Sequence, residues 1–153
     1  MERLDLTDLV EGELLQFESV AFERKVELRS QLEPGVAVYG NAPLLRKLAG
    51  TLLDNACKYA DEGGSVDVEL RRDAQRVELA VRNTGSAIAP EDLPHVFDRF
   101  YRADKARTCD DSGHGLGLAI ARAIAEEHGG TLSAESDETS GTTFTLTLPT
   151  AES

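Results

Sequence analysis

The stretch Ser112-Gly113-His114-Gly115-Leu116-Gly117-Leu118-Ala119-Ile120-Ala121-Arg122-Ala123-Ile124 carries three alternating glycines that lead into an amphipathic helix. Glycine lets a ligand approach the backbone closely, and the N–H groups and the dipole at the start of a helix attract anions. The stretch is therefore a candidate phosphate-binding turn. The alternative is a glycine-rich turn that only begins an ordinary helix.

Two common phosphate loops are excluded by spacing. A Walker loop ends in Gly-Lys-Ser/Thr, whereas Gly117 is followed by Leu118 and Ala119. A dinucleotide fingerprint needs its third glycine where Leu118 stands, and a hydrophobic strand before the first glycine. The residues before Gly113 are Cys109-Asp110-Asp111-Ser112, which form a polar loop.

Composition limits the class of ligand. The chain has 153 residues, a length that predicts one domain. Its net charge is -12, from 28 acidic and 16 basic residues, so it is expected to repel nucleic acid and anionic membranes. A phosphate ligand would then need backbone N–H groups, a few basic side chains and a divalent cation. Cys57 and Cys109 lack metal-ligand spacing, and no apolar run approaches about 20 residues, which together indicate a cytoplasmic domain.

Hydrophobic periodicity predicts the order of elements. The helices are predicted at Asp8–Arg24, with Thr7 as cap, at Asn41–Tyr59, and from the glycine turn to about His128. The strands are predicted at Val26–Leu28, Val36–Tyr39, Ser65–Arg71, Val77–Arg82, Thr131–Glu135 and Thr142–Leu148, with a helical turn at Glu91–Phe97. This order predicts an α+β two-layer sandwich, with the helices on one face of a mixed sheet. Residues 1–153 form a single domain in this interpretation, and about residues 89–113 form a lid.

Four segments stand in a familiar order along the chain. They are Asn55-Ala56-Cys57-Lys58-Tyr59, Asn83-Thr84-Gly85-Ser86-Ala87, Phe97-Asp98-Arg99-Phe100-Tyr101-Arg102 and Gly113 to Leu118. Their order resembles the N, G1, F and G2 boxes of the ATP-binding catalytic domain of sensor histidine kinases. That domain has a Bergerat-type fold and belongs to the superfamily that also holds gyrase, Hsp90 and MutL. The resemblance covers nearly the whole chain.

The resemblance implies a role for each box. Asn55 would ligate Mg²⁺ through its side-chain oxygen and, with Lys58, would serve as a catalytic residue, Lys58 neutralising phosphate charge. Tyr59 would line the nucleotide, Asn83 stands where the family has the aspartate that binds adenine, and Gly85 would let the base edge approach. The remaining expected contacts to ATP are Phe100, Arg102, Gly113, His114, Gly115, Leu116, Gly117 and Leu118. Phe97 would help to anchor the lid, and Arg99, Lys105 and Arg107 are further candidates for the γ-phosphate or simply solvated charges.

The chain departs from the family pattern at three positions. Asn83 replaces an aspartate, Ala87 replaces the second glycine of the G1 box, and Thr51 stands where the N box commonly has an earlier asparagine. The amide keeps an acceptor but loses the negative charge of the carboxylate, so weaker adenine recognition is expected. Because an amide can also present its NH₂ group, relaxed discrimination against GTP is expected.

The expected partners follow from the same resemblance. None of His95, His114 and His128 has the H-E-x-x-x-P context of a phosphoacceptor, so the dimerisation and phosphotransfer domain is expected to be absent from this chain. The expected partners are ATP or ADP, that domain of a membrane-anchored parent kinase, and its response regulator; the isolated domain is expected to be monomeric. A degenerate nucleotide-binding regulatory module and an anti-sigma-type serine kinase are the alternatives.

Overall fold

The computed structural model describes residues 1–85, 87–98 and 114–151, with the backbone alone at 114–116. In these ranges the helices are α1 (Leu6–Glu23), α2 (Ala42–Tyr59) and α3 (His114–Glu127), with one 3-10 turn at Leu93–His95. The strands are β1 (Glu2–Asp5), β2 (Glu27–Leu32), β3 (Ala37–Gly40), β4 (Ser65–Arg72), β5 (Arg76–Asn83), β6 (Thr131–Asp137) and β7 (Gly141–Pro149).

The five longer strands form one mixed sheet in the order β2-β4-β5-β7-β6. β2 pairs parallel to β4, and every other neighbour in this sheet is antiparallel. β1 and β3 form a separate antiparallel pair. The helices pack on the sheet, which confirms the predicted two-layer α+β sandwich.

The core lies between the helices and one face of the sheet. Alternate residues of β4, β5 and β7 point to that face, as the period of two in a strand requires. They meet the leucines on the inner side of α2, which recur at helical spacing. The buried residues of these four elements include Leu45, Leu48, Leu52, Leu53, Val66, Val68, Leu70, Leu79, Val81, Phe144, Leu146 and Leu148.

The structure shows the N-caps of α1 and α2, and the cap predicted for α1 was wrong. Asn41 caps α2, because its side-chain oxygen accepts the N–H of Leu44 at 3.0 Å. α1 begins earlier than predicted, and Asp5, not Thr7, is its cap. The Thr7 hydroxyl instead donates to the carbonyl of Glu33 at 2.7 Å and accepts the N–H of Val36. A buried hydroxyl needs such partners, and they are provided by a loop distant in sequence.

His128 joins the C-terminal end of α3 to the start of α2. Its Nδ1 donates to the carbonyl of Ile124 at 2.7 Å, and its Nε2 accepts the N–H of Asn41 at 3.1 Å. The imidazole is buried, and a Cβ at Gly40 would lie 2.7 Å from its Cδ2 atom. Both ring nitrogens of His128 therefore serve the packing of the two helices.

Within the part of the chain that the structure describes, no helix combines the length and apolar character needed to cross a bilayer.

Candidate nucleotide-binding site

One stripe of α2 runs from the Gly85 turn to Gly117 in α3. Thr51, Asn55 and Tyr59 follow each other at intervals of four residues and so lie on one side of the helix. A Cβ at position 117 would lie 3.6 Å from Thr51 Cγ2, and a Cβ at position 85 would lie 2.7 Å from the carbonyl oxygen of Tyr59. The stripe spans roughly 12 Å at 1.5 Å per residue, and Asn55 lies at its centre.

Asn55 is the polar residue in the middle of this stripe. It is half-buried, whereas the Thr51 hydroxyl donates back to the carbonyl of Lys47 at 2.8 Å within α2. Lys58, in the last turn, is also half-buried, and Tyr59 is 39% exposed. The structure thus brings the three residues of the predicted N box to one end of α2.

The Gly85 turn is held tightly against the end of α2. Gly85 has φ +129°, a conformation that side chains disfavour, and the close approach to Tyr59 leaves no room for a Cβ. The preceding Thr84 donates its hydroxyl to Asp61 Oδ1 at 2.8 Å and accepts the N–H of Ser65 at 2.9 Å. These contacts fix the distance between the G1 segment and the N-box helix.

Asn83 is the last residue of β5 and only 2% exposed. Its Nδ2 donates to the carbonyl of Thr84 at 2.9 Å, so the side-chain oxygen is the group left to receive a further donor. The sequence suggested an amide that is free to present either its oxygen or its NH₂ group to the base. In the structure a neighbouring backbone carbonyl holds the NH₂ group, so the oxygen is the group presented. Thr142 of β7 is the partner of Asn83 in the ladder and is also buried.

The first part of the segment after Gly85 is anchored to the core. The ring of Phe97 meets that of Phe144 edge to face, with 5.9 Å between centroids, and the Arg122 guanidinium lies 5.5 Å from the Phe97 centroid. These contacts agree with the anchoring role expected for Phe97.

Several predicted residues lie outside the part of the chain that the structure describes. Phe100, Arg102 and Gly113 lie outside the described residues, as do Arg99, Lys105 and Arg107 and most of the predicted lid. His114, Gly115 and Leu116 form the start of α3, and only their backbone is described. Leu118 is partly buried and packs against the core, so its side chain contributes to the fold.

The described residues contain no cluster of three or more His, Cys, Asp or Glu side chains suited to a metal ion. Cys57, next to this stripe in sequence, points into the core, and burial raises the pKa of its thiol. It is unsuited to act as a nucleophile or a metal ligand.

Sequence reasoning did not single out Asp61, Thr142 and Ser136. Asp61 and Thr84 are 23 residues apart, and Thr142 is brought beside Asn83 only by the register of β5 and β7. Asp61, in the loop after α2, and the short hydroxyl side chains of β6 and β7 carry little local pattern, so only the folded structure shows their place.

Comparison with known proteins identifies the family to which this fold belongs. The family model of histidine kinase-, DNA gyrase B-, and HSP90-like ATPases matches residues 40–152. The sensor histidine kinase RppB of Synechocystis sp. is 39% identical over 145 residues, which cover 94% of this chain and 32% of RppB. The solved structure of the mycobacterial sensor histidine kinase MprB has a TM-score of 0.86 at 30% identity and covers 97% of this chain and 98% of that one. Full-length ShkA in complex with AMPPNP has a TM-score of 0.82 at 25% identity, covering 98% of this chain and 31% of that one.

The chain belongs to the family of histidine kinase-, DNA gyrase B- and HSP90-like ATPases. Within this family it is similar, over nearly its whole length, to the catalytic domain of sensor histidine kinases. It spans about a third of the length of the curated relatives it matches. These relatives do not favour a regulatory module or an anti-sigma-type serine kinase.

Proposed function

We propose that this chain binds Mg-ATP along α2 and presents the γ-phosphate to a histidine on a separate dimerisation domain of a sensor histidine kinase. The observation that carries the proposal is the α2 stripe, whose two ends lie beside Gly85 and Gly117 and whose centre is Asn55. An extended nucleotide has its base at one end and its phosphates at the other, which suits a site with the Gly85 turn at one end and Gly117 of α3 at the other.

The metal side of this proposal fits the residues present. The oxygen of Asn55 is a hard ligand, and Mg²⁺ typically uses one or two protein oxygens together with phosphate oxygens and waters. When bound, Mg²⁺ would offset phosphate charge in a protein whose net charge is -12. Lys58 would add a positive charge near the same phosphates.

Adenine recognition would fall to Asn83 and the Gly85 turn. The NH₂ of Asn83 is held by Thr84, so its oxygen would accept the amino group of adenine. The absence of a side chain at Gly85 would let the base edge approach the backbone, and Tyr59 would line the nucleotide. The complex of the related ShkA with AMPPNP supports a nucleotide in this fold.

The phosphates would be enclosed by the start of α3. Gly113, Gly115 and Gly117 would let the triphosphate approach the N–H groups of that helix, together with the backbone of His114 and Leu116 and the neighbouring Leu118. Phe100 and Arg102 are proposed as further contacts, Arg102 to the γ-phosphate.

Transfer of the γ-phosphate depends on positioning and charge neutralisation, so another domain must supply the nucleophile. His128 is unsuited to that role, because both of its ring nitrogens bond to the backbone. The proposed acceptor is a histidine of the parent kinase's dimerisation domain, and a response regulator would receive the phosphate next. A cytoplasmic position next to a membrane-anchored sensor region fits this role.

A labelling experiment tests the phosphotransfer. With γ-labelled Mg-ATP the chain alone should acquire no acid-labile phosphate, whereas an added dimerisation domain of its parent should become labelled. The reaction in trans should be slow, because the covalent link that raises the effective concentration is missing. Strong self-labelling at His95, His114 or His128, or no labelling of the added domain, would contradict the proposal.

A further inference from the structure

A chain of hydrogen bonds runs from the segment after Gly85 to β7. The N–H of Ile88 donates to Ser136 Oγ at 2.8 Å, and Ser136 Oγ lies 2.8 Å from Thr142 Oγ1. Ser136 belongs to β6 and Thr142 to β7, and the two residues are partners in that hairpin. Ser136 thus bridges a loop and a strand that are otherwise distant in sequence.

The chemistry of a hydroxyl group suggests the direction of this chain. Ser136 Oγ carries one proton and accepts the Ile88 N–H, which polarises its own O–H and makes it a better donor. Among the described residues, Ile88 and Thr142 are the two partners of Ser136 Oγ. Donation from Ser136 to Thr142 is compatible with the 2.8 Å contact, uses the Ser136 proton and leaves the Thr142 proton for another acceptor.

This direction affects the region next to Asn83. Thr142 and Asn83 are directly opposite each other in the antiparallel ladder, so their side chains share one face of the sheet about 5 Å apart. When Thr142 Oγ1 accepts from Ser136, the Thr142 proton remains available as a donor. The site would then offer an acceptor at Asn83 beside a donor at Thr142.

We propose that Ser136 is a positioning residue for the nucleotide site. It sets the direction of the Thr142 hydroxyl and holds Ile88, which lies three residues after Gly85, at a fixed distance from β7. This inference rests on the proposed function, since a nucleotide between Gly85 and α2 is what the positioned groups would recognise.

The test compares three substitutions. Ser136→Ala removes both hydrogen bonds, Ser136→Thr retains the hydroxyl, and Ser133→Ala changes an exposed serine of the same strand whose side chain points to the other face. For each protein, hydrogen exchange of the Ile88 amide is measured without nucleotide. Calorimetric titration then gives the affinities for Mg-ATP and Mg-GTP.

In Ser136→Ala we expect faster exchange at Ile88, an affinity for Mg-ATP about threefold to tenfold lower, and a changed ratio of ATP to GTP affinity. Ser136→Thr and Ser133→Ala should resemble the wild type in all three measurements. A purely structural role would lower the melting temperature but leave the affinities of the folded protein unchanged.

The two proposals can fail separately. If the wild-type chain binds Mg-ATP and Ser136→Ala binds each of the two nucleotides with the same affinity as the wild type does, the positioning role of Ser136 is overturned and the proposed function stands. If the wild-type chain binds no Mg-ATP, the proposed function fails and the role of Ser136 fails with it.

Discussion

Asn83 shows how a single side chain can be fixed by its backbone neighbour. Its NH₂ group donates to the carbonyl of Thr84 at 2.9 Å, in a position that is 2% exposed. A carboxylate in the same place would put an oxygen against that carbonyl oxygen. The amide is therefore suited to this loop, and its oxygen is the part that a ligand would meet.

We predict that wild-type protein prefers ATP over GTP, because the oxygen of Asn83 would accept the adenine amino group and would face the carbonyl of guanine. Asn83→Asp should retain this preference but lower the free energy of unfolding by about 1–3 kcal/mol, through the lost bond to Thr84. Thermal unfolding and titration with both nucleotides measure these effects.

Asn41→Asp is the matched control for this substitution. The capping oxygen that accepts the Leu44 N–H is retained, and a negative charge at the start of α2 is favourable, so no loss of stability is expected. Equal affinity of the wild type for ATP and GTP would show that Asn83 does not contact the base edge.

At the scale of an element, α3 has a glycine at position 117 that its packing does not require. The nearest described atom to a Cβ at Gly117 would be Thr51 Cγ2 at 3.6 Å, an ordinary van der Waals contact. Glycine within a helix costs about 0.5–1 kcal/mol relative to alanine. A ligand that approaches the backbone closely gives a reason for glycine at this position.

Gly117→Ala should therefore leave the fold intact, with an unchanged or slightly higher melting temperature, and should weaken Mg-ATP binding by at least about tenfold, or 1.4 kcal/mol. The control is Gly12→Ala in α1, where no atom lies within 4 Å of the added Cβ. It should raise stability by a similar amount and leave ATP affinity unchanged. Normal ATP binding by Gly117→Ala would place the phosphates elsewhere.

Elements with a strong period were predictable, and those fixed by distant partners were not. The leucines of α2 and the alternating residues of β4 and β5 gave the correct helix and hairpin within one or two residues. The four-residue strand β1 was missed, because its sequence Glu-Arg-Leu-Asp has no alternation and pairing with β3 creates it. Thr7 was misread as a cap because its partners, Glu33 and Val36, lie in another loop.

At the scale of the whole molecule, the order of elements predicted the two layers but not the order of the strands. The parallel pairing of β2 with β4 depends on α2 crossing between them, and β7 lies between β5 and β6. This arrangement brings Asn83 to Thr142, and the end of α2 to Gly85. The family resemblance identified the four boxes of the site from the sequence. The contacts between these boxes depend on the fold and could not be predicted in this way.

The most direct test of Mg-ATP binding is thermal unfolding of this chain with and without saturating Mg-ATP, in the wild type and in Asn55→Ala. Ligand at 100 times its Kd stabilises the folded state by about 2.7 kcal/mol, so the wild type should melt roughly 5–10 °C higher with Mg-ATP. Asn55→Ala should melt like the wild type without nucleotide and lose the part of the shift that depends on magnesium. No shift in the wild type would contradict nucleotide binding, and an equal shift in Asn55→Ala would show that Asn55 does not hold the metal.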